Sequence, residues 1–232
     1  MNSIITIDGP AGSGKSTISR LLAKKIGFLY LDTGAMYRAV ALAANRRGVG
    51  LDDRERLGDL CRSLDLHFNT DEDPPGLFLH GEDISKAIRS PEMDMAASTV
   101  SAVKEVRAAM TDLQRIMAKG LNIVAEGRDM GTVVFPGAAH KFFLTASVKE
   151  RAERRYRERT ARGESVSRDS VEEELRKRDY QDETRALAPL KPAEDAVIID
   201  STELMIEQVV DKIINIFNGL ILPLPLSPLS EP

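Results

Sequence analysis

The chain has 232 residues, a length that fits one domain with embellishments. Its formal net charge of −4 excludes a global basic field for nucleic acid, and its single cysteine, Cys61, excludes an internal disulfide. The longest apolar stretch near the end, residues 220–229, is too short and too interrupted by prolines to span a bilayer. We therefore predict a cytoplasmic monomer without membrane or nucleic-acid partners.

The first 46 residues alternate between strand and helix patterns. The run IITI (residues 4–7) predicts a buried strand, and apolar residues at helical spacing then lead to Gly27, a natural helix stop. A second strand is predicted over residues 28–31. Asp32 and Thr33 supply N-cap chemistry for a helix that runs to about Arg46. This alternation predicts a parallel sheet with helices on its faces.

The alternation breaks over residues 64–91. Short β-like runs at residues 66–68 and 77–80 flank the turn-rich segment TDEDPPG, a pattern that predicts a small antiparallel insertion. The remaining chain predicts a long helical stretch over residues 95–119, a charged helical region over 149–177 that breaks at Gly163, and a closing amphipathic helix over 207–220. It also predicts strands at residues 121–125, 140–144 and 197–199, so the fold class is α/β with five parallel strands.

The segment GPAGSGKS (residues 9–16) matches the phosphate-binding pattern G-x-x-x-x-G-K-[ST] in full. Its glycines let backbone N–H groups point at phosphate oxygens, and the following helix adds its positive N-terminus. We expect Lys15 to reach the β- and γ-phosphates and the Ser16 hydroxyl to bind Mg²⁺. The residues predicted to hold the triphosphate are Gly9, Pro10, Ala11, Gly12, Ser13, Gly14, Lys15, Ser16 and Thr17.

The phosphate loop alone does not decide what receives the phosphate, because switches, motors and kinases share it. The chain has no guanine-reading N-K-x-D, which argues against a GTPase switch. Polar residues cluster instead in LDTGAMYR (residues 31–38), EGRDMGT (126–132) and RDYQDETR (178–185). The first two follow predicted strands, where α/β sheets bind ligands.

Four segments together resemble the bacterial-type cytidylate kinase family: IDGPAGSGKST, LDTGAMYR, EGRDMGTVVFP and KRDYQDETRALAPL. The resemblance runs from about residue 3 to residue 217, and LHGEDIS (residues 79–85) resembles the family's nucleotide-binding insertion. It implies the three-layer P-loop NTPase fold and phosphoryl transfer from ATP to CMP and dCMP with Mg²⁺. The chain departs from the family pattern at Glu126, where aspartate is frequent, and at Thr33, where serine is common.

The resemblance also implies roles for individual residues. Arg38, Arg128 and Arg185 would hold the CMP phosphate. Ser98, Arg107 and Asp129 would read the cytosine, Arg178 and Asp182 would lie near the sugar, and Thr33 would line the same pocket. The catalytic set is then Lys15, Arg128, Asp129 and Arg185. Several arginines suit this task because a monophosphate must approach a triphosphate against charge repulsion.

Six arginines crowd residues 151–162, balanced by glutamates. Such a run is often a solvated helix face, but the resemblance favours a lid that folds over ATP, mainly through Arg151 and Arg155, which share one helix face. We accordingly divide the chain into a core (residues 1–60, 95–150 and 169–219), an NMP-binding insertion (61–94), a helical lid (151–168) and a proline-rich tail (220–232).

Two other functions stay open at this point. The chain could be a kinase for UMP or GMP, or a non-catalytic nucleotide-binding module. A carboxylate at Asp129 would accept a hydrogen bond from the cytosine amino group and would face an acceptor in uracil, which favours CMP over UMP.

Overall fold

A computed structural model describes residues 3–219. The predicted tail, residues 220–232, lies outside the described residues. The five strands of the main sheet are β1 (Ile4–Asp8), β2 (Leu29–Asp32), β6 (Ile123–Gly127), β7 (His140–Thr145) and β8 (Val197–Asp200). The helices are α1 (Lys15–Ile26), α2 (Thr33–Arg46), α3 (Arg54–Arg62), α4 (Pro91–Ser101), α5 (Lys104–Ala118), α6 (Val148–Ala161), α7 (Arg168–Thr184) and α8 (Ile206–Phe217), and Met130–Val134 forms a short π-helix.

The main sheet is parallel throughout, with the strand order β2-β6-β1-β7-β8. β1 lies at its centre between β6 and β7, and the side chains of Ile5 and Ile7 are fully buried. Because parallel strands end at the same edge, Asp8, Asp32 and Gly127 meet there. The predicted five-stranded parallel sheet is confirmed.

Helices cover both faces of the sheet and make a three-layer α/β fold. On one face, α1 and α8 pack Ile18, Leu22 and Val209 against the strands. On the other face, α2, α4 and α5 contribute the larger core, which includes Met36 and Met110. Among residues 3–219, no helix combines the length and apolarity that a membrane crossing requires.

The second sheet is small and antiparallel, as predicted. It consists of β3 (Leu66–Asn69), β4 (Gly76–Leu79) and the two-residue β5 (Glu82–Asp83), in that order. Leu66, Leu77 and Leu79 are buried against the core of the α2 face. The short strand β5 and helix α3 were absent from the sequence prediction.

The helical stretch predicted over residues 95–119 consists of two helices, because the chain breaks between α4 and α5. Ala102 caps α4, and Val103 is extended (φ −80°, ψ 125°) before α5 begins. Across this break the Arg107 guanidinium donates to the Ser101 carbonyl, with Nη1 and O 3.0 Å apart. Because of this break, the side chain of Arg107 in the first turn of α5 lies toward the carboxyl edge of the main sheet.

The strand predicted at residues 121–125 is displaced by two residues. Leu121 is partly exposed and precedes β6, whereas Glu126 and Gly127 complete the strand in a buried position. In the sequence, Glu126 ends the apolar run, so the strand is predicted to stop before it. Here it continues the strand because hydroxyl groups from two other elements contact its carboxylate.

Candidate active site

The loop between β1 and α1 takes a conformation that its glycines require. Gly9 has φ +149°, and a Cβ on it would lie 2.0 Å from the Leu144 carbonyl oxygen. Gly12 has φ +76°, and a Cβ there would lie 3.1 Å from the backbone oxygen of Arg151. Residues other than glycine rarely adopt either backbone conformation. The loop can therefore wrap closely between β7 and α6 only with glycine at these positions.

Lys15 is a buried cation at the start of α1. Its ammonium donates to the Pro10 carbonyl at 2.7 Å and is 3.5 Å from the Ser13 hydroxyl. Burial lowers the pKa of Lys15 well below its usual value, and the positive charges of Arg128 and Arg178 lower it further. An anionic ligand bound beside Lys15 would stabilise its charged form and oppose this lowering of the pKa.

A group of oxygen atoms lies beside the loop at the sheet edge. Ser16 donates to Glu126, with Oγ and Oε2 3.0 Å apart, and Tyr30 donates to the other oxygen of the same carboxylate. Burial and the neighbouring Asp32 raise the pKa of Glu126. Mg²⁺ prefers oxygen ligands and is commonly held by one or two carboxylates together with substrate phosphates. Ser16, Glu126 and Asp32 therefore fit a Mg²⁺ ion, which would relieve the repulsion between the two carboxylates.

Asp8, the last residue of β1, anchors the turn that follows β6. Its two carboxylate oxygens accept hydrogen bonds from the backbone N–H groups of Met130 and Gly131, both at 2.8 Å. Arg115 of α5 binds the other end of the π-helix through the carbonyl oxygens of Val133 and Val134. The two contacts hold the π-helix at both ends, so Asp8 fixes the backbone that carries Arg128 and Asp129.

We expect Asp8 to make stability depend on pH. Burial raises the pKa of Asp8 from 3.8 to about 6, although its two backbone hydrogen bonds act in the opposite direction. The folded chain then holds this proton more tightly than the unfolded chain. The resulting stabilisation is complete below about pH 4 and is lost as the pH rises through 6.

Urea unfolding of the native chain and of Asp8→Asn between pH 4 and pH 7 measures this contribution. The free energy of unfolding of the native chain, relative to that of the variant, should fall by about 2 kcal/mol over this range. The variant carries all other titrating groups, so their contributions to the pH dependence cancel when the two free energies of unfolding are subtracted. A difference that stays constant, or that grows with pH, would contradict the assignment.

Polar residues from several helices and from the ends of β2 and β6 converge on one cavity of about 1030 Å³. It lies over the carboxyl edge of the sheet and extends from the phosphate loop to α5. The cavity is lined by most residues predicted to bind nucleotides: Ala11, Gly12, Gly14, Lys15, Ser16, Thr17, Thr33, Arg38, Ser98, Arg107, Arg128, Asp129, Arg155, Arg178, Asp182 and Arg185. Residues that sequence analysis did not assign also line it, notably Tyr30, Asp94, Arg154 and Arg157.

Four arginines make the middle of the cavity strongly positive. Arg128 donates to Asp182, with Nε and Oδ2 2.8 Å apart, and Arg185 lies 3.7 Å from the other oxygen of Asp182. Burial lowers the pKa of Arg178 to about 10, with Arg128 contributing further, so Arg178 stays charged at neutral pH. Arg38 completes the cluster from α2. Asp182 is the carboxylate that Arg128 and Arg185 share, and Arg38 pairs with Asp32 and Asp94 at the edge of the cluster.

Several donors of these arginines have no acceptor. Among residues 3–219, the buried Nε atoms of Arg38 and Arg178 and the Nη2 atom of Arg185 lack a hydrogen-bond partner. A buried donor without an acceptor costs free energy, and guanidinium groups are well suited to phosphate oxygens. The arrangement therefore fits the binding of an anionic group with several oxygen atoms.

Arg107 and Asp129 form an ion pair at the inner end of the cavity. Arg107 donates to Asp129 and, through its other terminal nitrogen, to the Ser101 carbonyl. Both side chains are more than nine-tenths buried, and the guanidinium lies 5.7 Å from the centre of the Tyr37 ring. The pair presents charged donors and acceptors at fixed positions, as recognition of a polar ring system requires.

The two arginines that the sequence assigns to a lid, Arg151 and Arg155, have different surroundings. Arg155 faces the cavity and pairs with Asp94 of α4 and Glu158. Arg151 is 4% exposed and lies beneath the loop, where it donates to the Ala11 carbonyl at 3.0 Å and to Asp179 at 2.6 Å. The same helix thus carries one arginine toward the cavity and one into contact with the loop backbone.

The contacts of Arg151 predict a large effect on stability. Replacing Arg151 with methionine would leave the buried carboxylate of Asp179 without its cation, so we expect the free energy of unfolding to fall by about 3 kcal/mol. Arg157→Met is the matched control, because Arg157 is exposed and its pair with Glu153 should contribute less than about 1 kcal/mol. Chemical unfolding of both variants checks this, and equal losses would refute the role of Arg151.

The parallel sheet, the phosphate loop after its first strand and the arginine-lined cavity define a P-loop kinase. The family model for cytidylate kinase matches residues 5–219. The chain is also 51% identical over 208 residues to a cytidylate kinase of Geobacter sp. (strain M21), covering 90% of this chain and 89% of that protein. It is 52% identical over 217 residues to a cytidylate kinase of Pelotomaculum thermopropionicum, covering 92% and 96%. The chain belongs to the cytidylate kinase family.

A solved structure shares the fold at much lower sequence identity. An uncharacterized protein from Eubacterium ventriosum superposes with a TM-score of 0.51 at 12% identity, and the match covers 94% of this chain and 99% of that one. This likeness concerns the fold alone.

Proposed function

We propose that this kinase transfers the terminal phosphoryl group of ATP to CMP and dCMP, with Mg²⁺, and releases ADP with CDP or dCDP. The unpartnered donors of Arg38 and Arg185 carry this proposal, because they can donate to an acceptor phosphate, and the neighbouring Arg178 adds positive charge. They lie in the same cavity as the phosphate loop, so the two phosphate groups would meet between Lys15 and Arg128.

The residues act by binding and by electrostatics. In phosphoryl transfer, negative charge spreads over the equatorial oxygens in the transition state, and positioned cations stabilise it. Lys15 and Arg128 are fixed by hydrogen bonds to the Pro10 carbonyl and to Asp182, so they need little reorganisation as the charge develops. Arg155, with the unassigned Arg154, would approach from α6 and help to exclude water.

The metal ion belongs to the donor side of this proposal. Ser16, Glu126 and Asp32 would hold Mg²⁺, either directly or through water. When bound, the ion would neutralise part of the phosphate charge. Glu126 is the residue where this chain departs from the frequent aspartate, and its contacts with Ser16 and Tyr30 support a role at this position.

The nucleoside part of the acceptor would lie toward α5. Asp129 and Arg107, with Ser98 at the cavity wall, would contact the cytosine, and Asp182 and Arg178 would lie near the sugar. We further propose residues 61–94 as the acceptor-binding insertion and residues 151–168 as the lid. We also propose a cytoplasmic monomer, and light scattering after gel filtration would test its oligomeric state.

An acceptor screen tests the function. ATP consumption would be measured with CMP, dCMP, UMP, GMP and AMP offered separately in the presence of Mg²⁺. Turnover with CMP and dCMP alone is the expected result. Turnover with UMP or GMP would keep the phosphate sites and overturn Ser98, Arg107 and Asp129 as cytosine readers, and no turnover with any acceptor would overturn the kinase proposal.

A further inference from the structure

A row of alternating charges crosses the cavity from the core to the lid. Arg38 Nη2 lies 3.3 Å from Asp32 Oδ2, and Arg38 Nη1 lies 3.5 Å from Asp94 Oδ1. The other oxygen of Asp94 accepts from Arg155, and Arg155 Nη1 donates to Glu158 Oε2 at 2.8 Å. The row thus joins the end of β2 to α6 through a carboxylate on α4.

Asp94 is the member that joins the two substrate sites. Each of its carboxylate oxygens contacts an arginine from a different part of the proposed site, Arg38 for the acceptor phosphate and Arg155 for ATP. Its side chain is 18% exposed and lines the cavity. Neither the phosphate loop nor the ion pair of Arg107 and Asp129 needs a carboxylate at this position.

The charge on Asp94 conflicts with an incoming phosphate. A phosphate that binds Arg38 brings up to two negative charges to a guanidinium whose positive charge Asp94 now helps to neutralise. Arg38 already pairs with Asp32 and, at the longer distance of 3.5 Å, with Asp94, so a phosphate would be a third anion at one partly buried guanidinium, where repulsion is strong because water is scarce. The phosphate would therefore displace Asp94 from Arg38, and the shift of its carboxylate would loosen its contact with Arg155.

We propose that Asp94 is a positioning residue that couples the acceptor and donor sites: its carboxylate restrains Arg155 until an acceptor phosphate replaces it at Arg38. This inference rests on the proposed function, since it needs both phosphates to bind where we assign them. It predicts that CMP strengthens the binding of ATP, because CMP releases an arginine that ATP uses. By linkage, ATP strengthens the binding of CMP by the same factor.

Calorimetric titration tests the coupling without turnover. The full chain is titrated with the Mg²⁺ complex of β,γ-methylene-ATP, alone and with saturating CMP. For the native chain we expect CMP to increase the affinity about fivefold or more. For Asp94→Asn we expect the analogue alone to bind about three- to tenfold more tightly than to the native chain, and CMP to add less than about twofold.

Glu158→Gln is the matched control. It removes the second carboxylate partner of Arg155 but makes no contact with Arg38, so the increase in affinity caused by CMP should persist. A structural salt bridge at Asp94 would lower the melting temperature of Asp94→Asn and leave the coupling factor unchanged. That result overturns the inference, as does a native chain in which CMP binds without affecting the analogue. A native chain that binds no CMP would instead overturn the proposed function itself.

Discussion

Replacing Lys15 with methionine is expected to lower kcat about 10²- to 10³-fold, the usual cost of removing one preorganised group that stabilises developing charge. Lys15 is 6% exposed and its ammonium is held by the Pro10 carbonyl, so the ammonium lies within the phosphate loop with little solvent to reorganise. Methionine is of similar length and has no charge. Initial rates of ADP formation at saturating ATP and CMP measure the effect.

The variant should keep its fold. Burial and the charges of Arg128 and Arg178 already disfavour the ammonium, as the lowered pKa of Lys15 indicates. An uncharged side chain there should therefore leave the melting temperature unchanged or raise it. Lys25→Met is the control, because Lys25 is on the same helix but exposed and paired with Asp211. Retention of more than about a tenth of the activity by Lys15→Met would contradict the role of Lys15.

The phosphate loop could be predicted from sequence because its requirements are local. The glycine positions, the strand before them and the helix after them all lie within residues 4–26. The N-cap of α2 was predicted for the same reason, and the Asp32 carboxylate accepts from the Ala35 N–H at 2.8 Å. Each of these features depends on residues that are close in the chain.

Contacts between distant residues could not be read from spacing. Arg151 and Arg155 share one helix face, but that spacing does not reveal that Asp179 lies opposite the first and Asp94 opposite the second. Likewise, Glu126 is acceptable inside β6 only because Ser16 and Tyr30 reach it from α1 and β2. Such partners are fixed by the assembled sheet and helices.

The helical region before β6 and the turn after it illustrate a second limit. Residues 91–118 are rich in residues that form helices, so no local signal marks the extended Val103 that separates α4 from α5. The π-helix Met130–Val134 reads as an apolar run, and its N–H groups are organised by Asp8, more than 120 residues away in the chain. Tertiary contacts decided both elements, and both shape the cavity.

Asp129 should give the enzyme a preference for CMP over UMP of at least about 10³ in kcat/KM. A buried site built around a hydrogen bond rejects a partner that cannot form it much more strongly than a site that relies on shape. Cytosine presents an amino donor where uracil presents a carbonyl acceptor. Asp129 is 2% exposed, so water could not compensate for an acceptor that faces its carboxylate.

Asp129→Asn should reduce this preference about a hundredfold, because an amide can turn either its oxygen to cytosine or its amino group to uracil. The substitution also weakens the ion pair of the buried Arg107, so part of the loss in rate will reflect lower stability. The ratio of kcat/KM for CMP and UMP, measured on one preparation, is independent of the fraction folded and isolates base recognition. Asp211→Asn, an exposed carboxylate on α8, should leave that ratio unchanged. Equal turnover of CMP and UMP by the native chain, or an unchanged ratio in Asp129→Asn, would remove Asp129 from the cytosine site.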